Sequence, residues 1–162
     1  MTDKIRTFIA VDIPEGLLQT LDAAIVALKS RWPHARWAPV GNQHVTLRFL
    51  GPTPVDQLPA ITETVAGIAA EHAAAELSLD ELGSFPSKRR MRVLWVGLDD
   101  PTGLLAALAG CLSDRLAPLG FEAEERGFSA HLTVARFKQP ERLDEPLPDL
   151  DLSDRAFLVS DL

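Results

Sequence analysis

Cysteine and long apolar runs are both scarce in this chain of 162 residues. The single cysteine, Cys111, cannot form an internal disulfide or a thiolate zinc site, which indicates a reducing compartment. No apolar run approaches the length of about 18 residues that a membrane span requires. The segment from Met1 to Arg6 also lacks the apolar stretch of a signal peptide. We therefore expect a cytoplasmic protein that does not bind membranes.

Positive charge is in deficit as well. The chain has 16 Lys and Arg against 23 Asp and Glu, for a formal net charge of −7. Proteins that bind extended duplexes or single strands usually have the opposite balance, because their affinity comes from neutralising many phosphates. This balance argues against extended nucleic-acid binding. The segment from Lys88 to Arg92 is a local exception with four cations in five residues. It is either a solvated loop or a small basic rim for one or two phosphates.

The chain contains an internal repeat at an offset of 87 residues. When residues 8–47 are aligned with 95–134, eight of the 40 pairs are identical, against about two or three expected from ordinary composition. The offset is too long for a solenoid. It indicates one domain over 1–162, duplicated as halves of roughly 7–51 and 94–138 with one continuous core. The identical pairs are Asp12/Asp99, Pro14/Pro101, Gly16/Gly103, Leu17/Leu104, Leu18/Leu105, Leu21/Leu108, His44/His131 and Thr46/Thr133.

Each half has the pattern of a strand, a helix and a second strand. Short apolar runs at Thr7–Val11 and Val93–Leu98 predict the first strands, and Pro14 and Pro101 are placed near the helix starts. Cys111 adjoins the leucine stripe of the second helix, which favours a buried structural thiol. Further segments predicted are a helix over Val55–His72, a strand over Glu76–Leu82, a loop over Gln139–Asp151 and a strand over Ala156–Val159.

The most informative pattern is His-apolar-Thr-apolar, which occurs at His44–Leu47 and again at His131–Val134. In a strand, residues i and i+2 share a face, so the histidine and threonine of each motif point the same way. A pseudo-twofold arrangement would bring both strands to one cleft. One imidazole could then accept a proton while the other donates one, and the hydroxyls could bond anionic oxygens. A phosphodiester meets these requirements.

The paired motifs resemble those of the two-histidine phosphoesterase superfamily, in particular its RNA 2′,3′-cyclic phosphodiesterase branch, the 2′-5′ RNA ligases of the ThpR or LigT type. The resemblance implies an α+β fold of two antiparallel-sheet lobes with outer helices and a central cleft. In that family a final strand follows the segment Phe157–Ser160, and it does not appear before Leu162. The matching stretches are Phe8–Pro14, Arg36–Trp37, Asn42–Gly51, Arg92–Gly97, Leu116–Phe121 and His131–Arg136.

The resemblance also implies an activity and a substrate. The reaction is hydrolysis of a 2′,3′-cyclic phosphate, on RNA or a nucleoside, to the 2′-phosphate, together with reversible 2′-5′ RNA ligation. No metal and no other cofactor is implied. The expected partners are RNA termini or nucleotides that carry the cyclic phosphate, bound by a monomer.

Carried over by position, His44 is the proton donor to the departing oxygen and His131 is the proton acceptor that activates water. Thr46 and Thr133 bind the phosphate. Arg136 matches an arginine that usually follows the second motif, although strict alternation places it opposite His131 unless a bulge or strand end intervenes.

Arg48 is a candidate from the pattern alone, because alternation puts it on the face of His44. It is therefore predicted either to bind phosphate or to have a solvated structural role.

Two other functions remain open at this point. The substrate could be another nucleotide, such as ADP-ribose cyclic phosphate, or the chain could be a non-catalytic module that binds nucleotides or RNA ends. The intact His and Thr pairs argue against the module, because binding alone does not require two proton-transfer groups. Trp37, Trp95 and Phe128 could stack on a base, although core packing fits Trp95 better. His34 and His72 are expected at helix ends or on the surface.

Overall fold

The strands form where apolar and β-branched residues alternate with polar ones, and the helices form where leucines recur every three or four residues. The computed structural model describes residues 3–152 and 155–162. The strands are β1 (Lys4–Asp12), β2 (Arg36–Trp37), β3 (His44–Pro54), β4 (Ala75–Phe85), β5 (Met91–Asp99), β6 (His131–Glu141) and β7 (Ala156–Val159), and the α-helices are α1 (Glu15–Ala24), α2 (Val26–Arg31), α3 (Leu58–Ala70) and α4 (Leu104–Leu116).

All strand pairings are antiparallel and join the strands into one sheet in the order β1-β3-β6-β5-β4-β7, with β2 also paired to β6. The lobe that contains β1 and β3 meets the lobe of β4 to β7 at a single pair between β3 and β6, Val45 opposite Leu132. The α+β fold with two antiparallel lobes is therefore confirmed. The two strands that carry the motifs, β3 and β6, therefore lie side by side at the junction between the lobes.

The core lies between the sheet and the helices. Three leucines of α4, Leu105, Leu112 and Leu116, are fully buried, as are Leu18 and Leu21 of α1. None of the described helices has the length and apolar character needed to cross a bilayer.

Several element boundaries differ from the prediction. The first helix is interrupted at Ile25, so α1 and α2 replace one continuous helix. Strand β6 continues to Glu141 into the segment predicted as a loop. The predicted third helix begins as a 3₁₀ turn over Val55–Gln57 before α3. The division into halves 7–51 and 94–138 remains a prediction from the sequence.

Candidate active site

Both His-apolar-Thr-apolar motifs begin a strand, β3 at His44 and β6 at His131. Their second residues, Val45 and Leu132, are opposite each other in the sheet and are both 0% exposed. Because side chains alternate along a strand, the histidines and threonines on either side of this pair leave the sheet on the other face. The four polar side chains of the motifs therefore share one surface.

That surface is the floor of an open cavity of about 1150 Å³. The two histidines and two threonines of the motifs all border it. Cations predominate among its charged groups, since Glu124 is the one acidic residue that borders it within the described chain. The arginines on its border are Arg6, Arg48, Arg92, Arg126 and Arg136, and the phenylalanines are Phe8, Phe49, Phe85 and Phe128.

The His131 ring is oriented by a hydrogen bond. Its Nδ1 lies 2.8 Å from the carbonyl oxygen of Ser129. A carbonyl oxygen only accepts hydrogen bonds, so Nδ1 must carry the proton and donate. In the neutral ring the lone pair is then on Nε2. This tautomer makes Nε2 available as a proton acceptor.

The His44 ring is held by stacking. It lies parallel to the Phe8 ring, with 4.5 Å between ring centroids and 14° between planes. Phe8 is 43% exposed, although it belongs to the apolar run of β1. Aromatic pairs at this separation attract each other by about 0.5–1.5 kcal/mol beyond the burial of their area. Phe8 therefore favours the observed plane of the His44 ring.

A β-bulge decides where Arg48 points. In the pairing of β1 with β3, Ile9 lies opposite Arg48 and Ala10 opposite Thr46, so Leu47 is an extra residue on β3. Leu47 and Arg48 are consecutive and both are 5% exposed. The bulge shifts the alternation by one position.

The prediction that Arg48 shares the face of His44 is therefore wrong. Its Nη2 donates to the carbonyl oxygens of Phe121 and Glu122, and Nη1 lies 3.7 Å from Oε1 of Glu124. These contacts anchor the segment that precedes β6. The guanidinium is therefore buried and not solvated, while phosphate binding by Arg48, which borders the cavity, stays a prediction.

The same irregularity in β6 brings Arg136 to the site. Leu94 of β5 lies opposite Ala135 and Trp95 lies opposite Thr133, which leaves Val134 as the extra residue. Ala135 is consequently buried, and Arg136 is exposed and borders the cavity with Thr133. This is the bulge that a contact between Arg136 and the site requires.

Comparisons with known proteins identify the family of this chain. The profile of the 2′-5′ RNA ligase superfamily matches residues 14–162. The chain belongs to the 2′-5′ RNA ligase superfamily. Within described residues 3–152 and 155–162, no group of three or more His, Cys, Asp or Glu side chains is placed to hold a metal ion.

Relatives within this superfamily cover most of the chain. An RNA 2′,3′-cyclic phosphodiesterase of Methanothermobacter thermautotrophicus is 32% identical over 142 residues, which are 88% of this chain and 76% of the relative. One from Geobacillus stearothermophilus is 30% identical over 161 residues, which are 96% of this chain and 50% of the relative. The crystal structure of Escherichia coli LigT complexed with 3′-AMP has the same fold, with a TM-score of 0.75 and 23% identity, covering 97% of this chain and 84% of LigT.

Sequence reasoning missed the aromatic residues that support the two histidines of this superfamily member. Trp95 is only partly buried, and its ring lies 6.3 Å from that of His131 and 5.1 Å from that of Phe85. Phe85 in turn meets the His131 ring edge to face at 5.0 Å. The expectation of core packing for Trp95 is therefore wrong. The repeat alignment held a usable signal, because it pairs Phe8 with Trp95 and each contacts the histidine of its own half.

The remaining candidates differ in where they lie relative to the cavity. Phe128 borders the cavity, whereas Trp37 packs on the core and donates from Nε1 to the carbonyl of Trp32 at 3.0 Å. His34 follows α2 and contacts Glu141 at 2.6 Å. His72 follows α3, as expected for a residue at a helix end.

Two more predictions concern Cys111 and the basic segment 88–92. Cys111 is partly buried, with Sγ 4.0 Å from Nε2 of His72. In the basic segment, Arg92 borders the cavity, and the side chains of residues 88–90 are exposed away from it.

Proposed function

We propose that this chain hydrolyses a 2′,3′-cyclic phosphate at an RNA or nucleoside end and releases the 2′-phosphate. The observation that carries the proposal is the position of His44 and His131 on neighbouring strands at one open cavity. The relatives named RNA 2′,3′-cyclic phosphodiesterase support the same reaction. With a 5′ hydroxyl in place of water as the nucleophile, the same site would join RNA ends through a 2′-5′ linkage, and the reverse of that reaction would cleave the linkage.

The strand register gives the spacing of the two imidazoles. Continuing from the pair Val45–Leu132, His44 lies opposite Thr133 and Thr46 lies opposite His131. Opposed residues have Cβ atoms about 4.5–5.5 Å apart, and diagonal ones about 7–8 Å. The histidines are diagonal neighbours, a separation that leaves room for one phosphate group hydrogen-bonded to both rings.

The chemistry assigns opposite roles to the two rings. Nε2 of His131, left unprotonated by the bond from Nδ1 to Ser129, takes a proton from water as its oxygen attacks phosphorus. The bond from phosphorus to the 3′ oxygen breaks, and protonated His44 gives that oxygen its proton. A new P–O bond replaces the broken one, and one proton has moved from His44 to the leaving group while His131 has gained one. Exchange with solvent then resets both rings.

The threonines and Arg136 stabilise the charge that this step creates. Negative charge grows on the non-bridging oxygens of the phosphate in the transition state, where hydroxyl donors at a preorganised site are most effective. We assign this contact to Thr46 and Thr133. The guanidinium of Arg136 adds a charge-assisted donor from the cavity border.

The substrate class follows from the cavity and the charge of the chain. A net charge of −7 disfavours a long polyanion, whereas the cationic cavity border suits a terminus. The proposed partners are RNA ends or nucleotides bearing the cyclic phosphate, bound by a monomeric chain in the cytoplasm. No metal or other cofactor takes part in the proposed steps.

The test is turnover of a nucleoside 2′,3′-cyclic phosphate with EDTA present, with the product identified by ³¹P NMR. His44→Ala and His131→Ala should each lower kcat by at least about 10²-fold, the lower range for loss of general acid–base catalysis. His34→Ala is the matched control, because His34 lies outside the cavity. Near-normal turnover in both motif variants would refute the roles. Tight binding without turnover by the unmodified chain would identify a binding module instead.

A further inference from the structure

Two arginines lie side by side where β2 pairs with β6, and one of them, Arg136, borders the cavity. Arg36 of β2 is directly opposite Arg136 of β6 in the antiparallel pairing. Directly opposed residues leave a sheet on the same face, with Cβ atoms about 4.5–5.5 Å apart. Arg136 borders the cavity together with His131 and Thr133. Arg36 therefore belongs to the same face as the motif residues.

The next pair along these strands confirms the orientation. Trp37 lies opposite Ala135. Ala135 is 1% exposed, and Trp37 packs against the core. Because successive side chains point to opposite faces, the preceding pair of arginines must point away from the core and towards solvent.

Neither guanidinium is neutralised. Within residues 3–152 and 155–162, no carboxylate forms an ion pair with Arg36 or Arg136, and neither side chain has a hydrogen-bond partner. Glu141, later on β6, contacts His34 instead. Like charges placed directly opposite each other destabilise a sheet. Two unpaired arginines in a chain with 23 acidic and only 16 basic residues therefore indicate an anion site.

We infer that Arg36, beside Arg136 on the sheet, binds the 5′ phosphate of the terminal nucleotide, so that oligonucleotides are preferred over isolated cyclic nucleotides. This inference rests on the proposed function. Arg136 is three residues beyond Thr133, about 10 Å along an extended strand, and arginine side chains reach back over part of that length. Planar guanidinium groups suit bidentate binding of a phosphate.

Two substrates that differ in whether they carry a 5′ phosphate test this inference. Adenosine 2′,3′-cyclic phosphate lacks a 5′ phosphate, whereas the dinucleotide ApA with a 2′,3′-cyclic end has one. For the unmodified chain we expect kcat/KM for the dinucleotide to be at least about tenfold higher, as for charge-assisted hydrogen bonds. Between about 50 and 200 mM salt, log kcat/KM for the dinucleotide should fall more steeply with log salt concentration than log kcat/KM for the mononucleotide. The slopes should differ by about 0.7 per added phosphate contact.

The variant Arg36→Gln should lower the ratio of dinucleotide to mononucleotide kcat/KM about tenfold. It should also give both substrates the same salt dependence of kcat/KM. Arg36→Lys retains the charge and should keep the salt dependence while losing part of the ratio. Arg90→Gln is the matched control, since Arg90 is exposed in the basic segment 88–92 and lies outside the paired strands β2 and β6.

The outcomes of the two proposals are distinguishable. If the unmodified chain turns over neither substrate, the proposed function fails. If it turns over both and Arg36→Gln leaves their ratio unchanged, only the second phosphate site is overturned. A lowered ratio in Arg90→Gln but not in Arg36→Gln would assign the phosphate to the basic segment and overturn the arginine pair.

Discussion

The Gly83→Ala substitution tests how tightly Trp95 is held beneath the site. A Cβ built on Gly83 would lie 2.2 Å from Cζ2 and Cη2 of Trp95 and 2.6 Å from Cε2. Carbon atoms in contact are normally about 3.5–4.0 Å apart, so the indole would have to recede by about 1.3 Å or more. Forcing an extra methyl into a packed site costs about 1–3 kcal/mol. We expect urea unfolding to show a loss of that size.

The same displacement should reach the reaction. The Trp95 ring lies against Phe85, which meets the His131 ring edge to face. A misplacement of about 1 Å at a catalytic group lowers rates by up to about 10²-fold. We therefore expect Gly83→Ala to lower kcat for the cyclic nucleotide by about ten- to a hundredfold.

Gly97→Ala is the control, because its Cβ would meet the same indole at an ordinary 3.5 Å. The double variant Gly83→Ala/Trp95→Phe should recover stability relative to Gly83→Ala, since the smaller ring leaves room, and the two changes should couple as neighbours do. If Gly83→Ala unfolds at the same urea concentration as the unmodified chain and keeps its kcat, Trp95 does not position His131 and this reasoning is wrong.

Two further predictions concern stability. Arg48→Met should lower the free energy of unfolding by about 1–3 kcal/mol, because the carbonyls of Phe121 and Glu122 lose their donor. The control Arg126→Met, at an exposed position, should change this free energy by less than about 0.5 kcal/mol. Equal losses in both variants would contradict the anchoring role. The Arg115 guanidinium beside Glu71 lowers the pKa of that carboxyl, so the pair stabilises the fold above the unfolded pKa of about 4.3 and stops doing so as pH falls through the lower folded value. Glu71→Gln should therefore flatten the acid side of a plot of unfolding free energy against pH, and an unchanged slope would contradict this.

The sequence predicted what depends on local pattern and on the repeat. Alternation placed His44 with Thr46 and His131 with Thr133, and the structure keeps each pair on one surface. The leucine stripe of α4 was buried as its spacing predicted. These features depend only on residues close together in the chain.

The errors arise where a partner strand decides the outcome. The bulge at Leu47 sends Arg48 into the interior, and no residue type in that segment marks a bulge. Trp95 belongs to an apolar run, but Gly83 on the facing strand leaves space for its ring on the motif side of the sheet. Neither effect can be read from the residues on one strand alone.

The junction between the lobes has a consequence for how the site could be altered. Strands β3 and β6 share a single backbone pair, Val45 with Leu132, and both side chains lie in the dry interior. No long ladder of hydrogen bonds joins these two strands, so we expect the packing of Val45 and Leu132 to influence the distance between the proposed proton donor and the proposed proton acceptor. Substitutions that change the volume of Val45 or Leu132 would thus alter the reaction rate and leave every polar side chain of the motif surface unchanged.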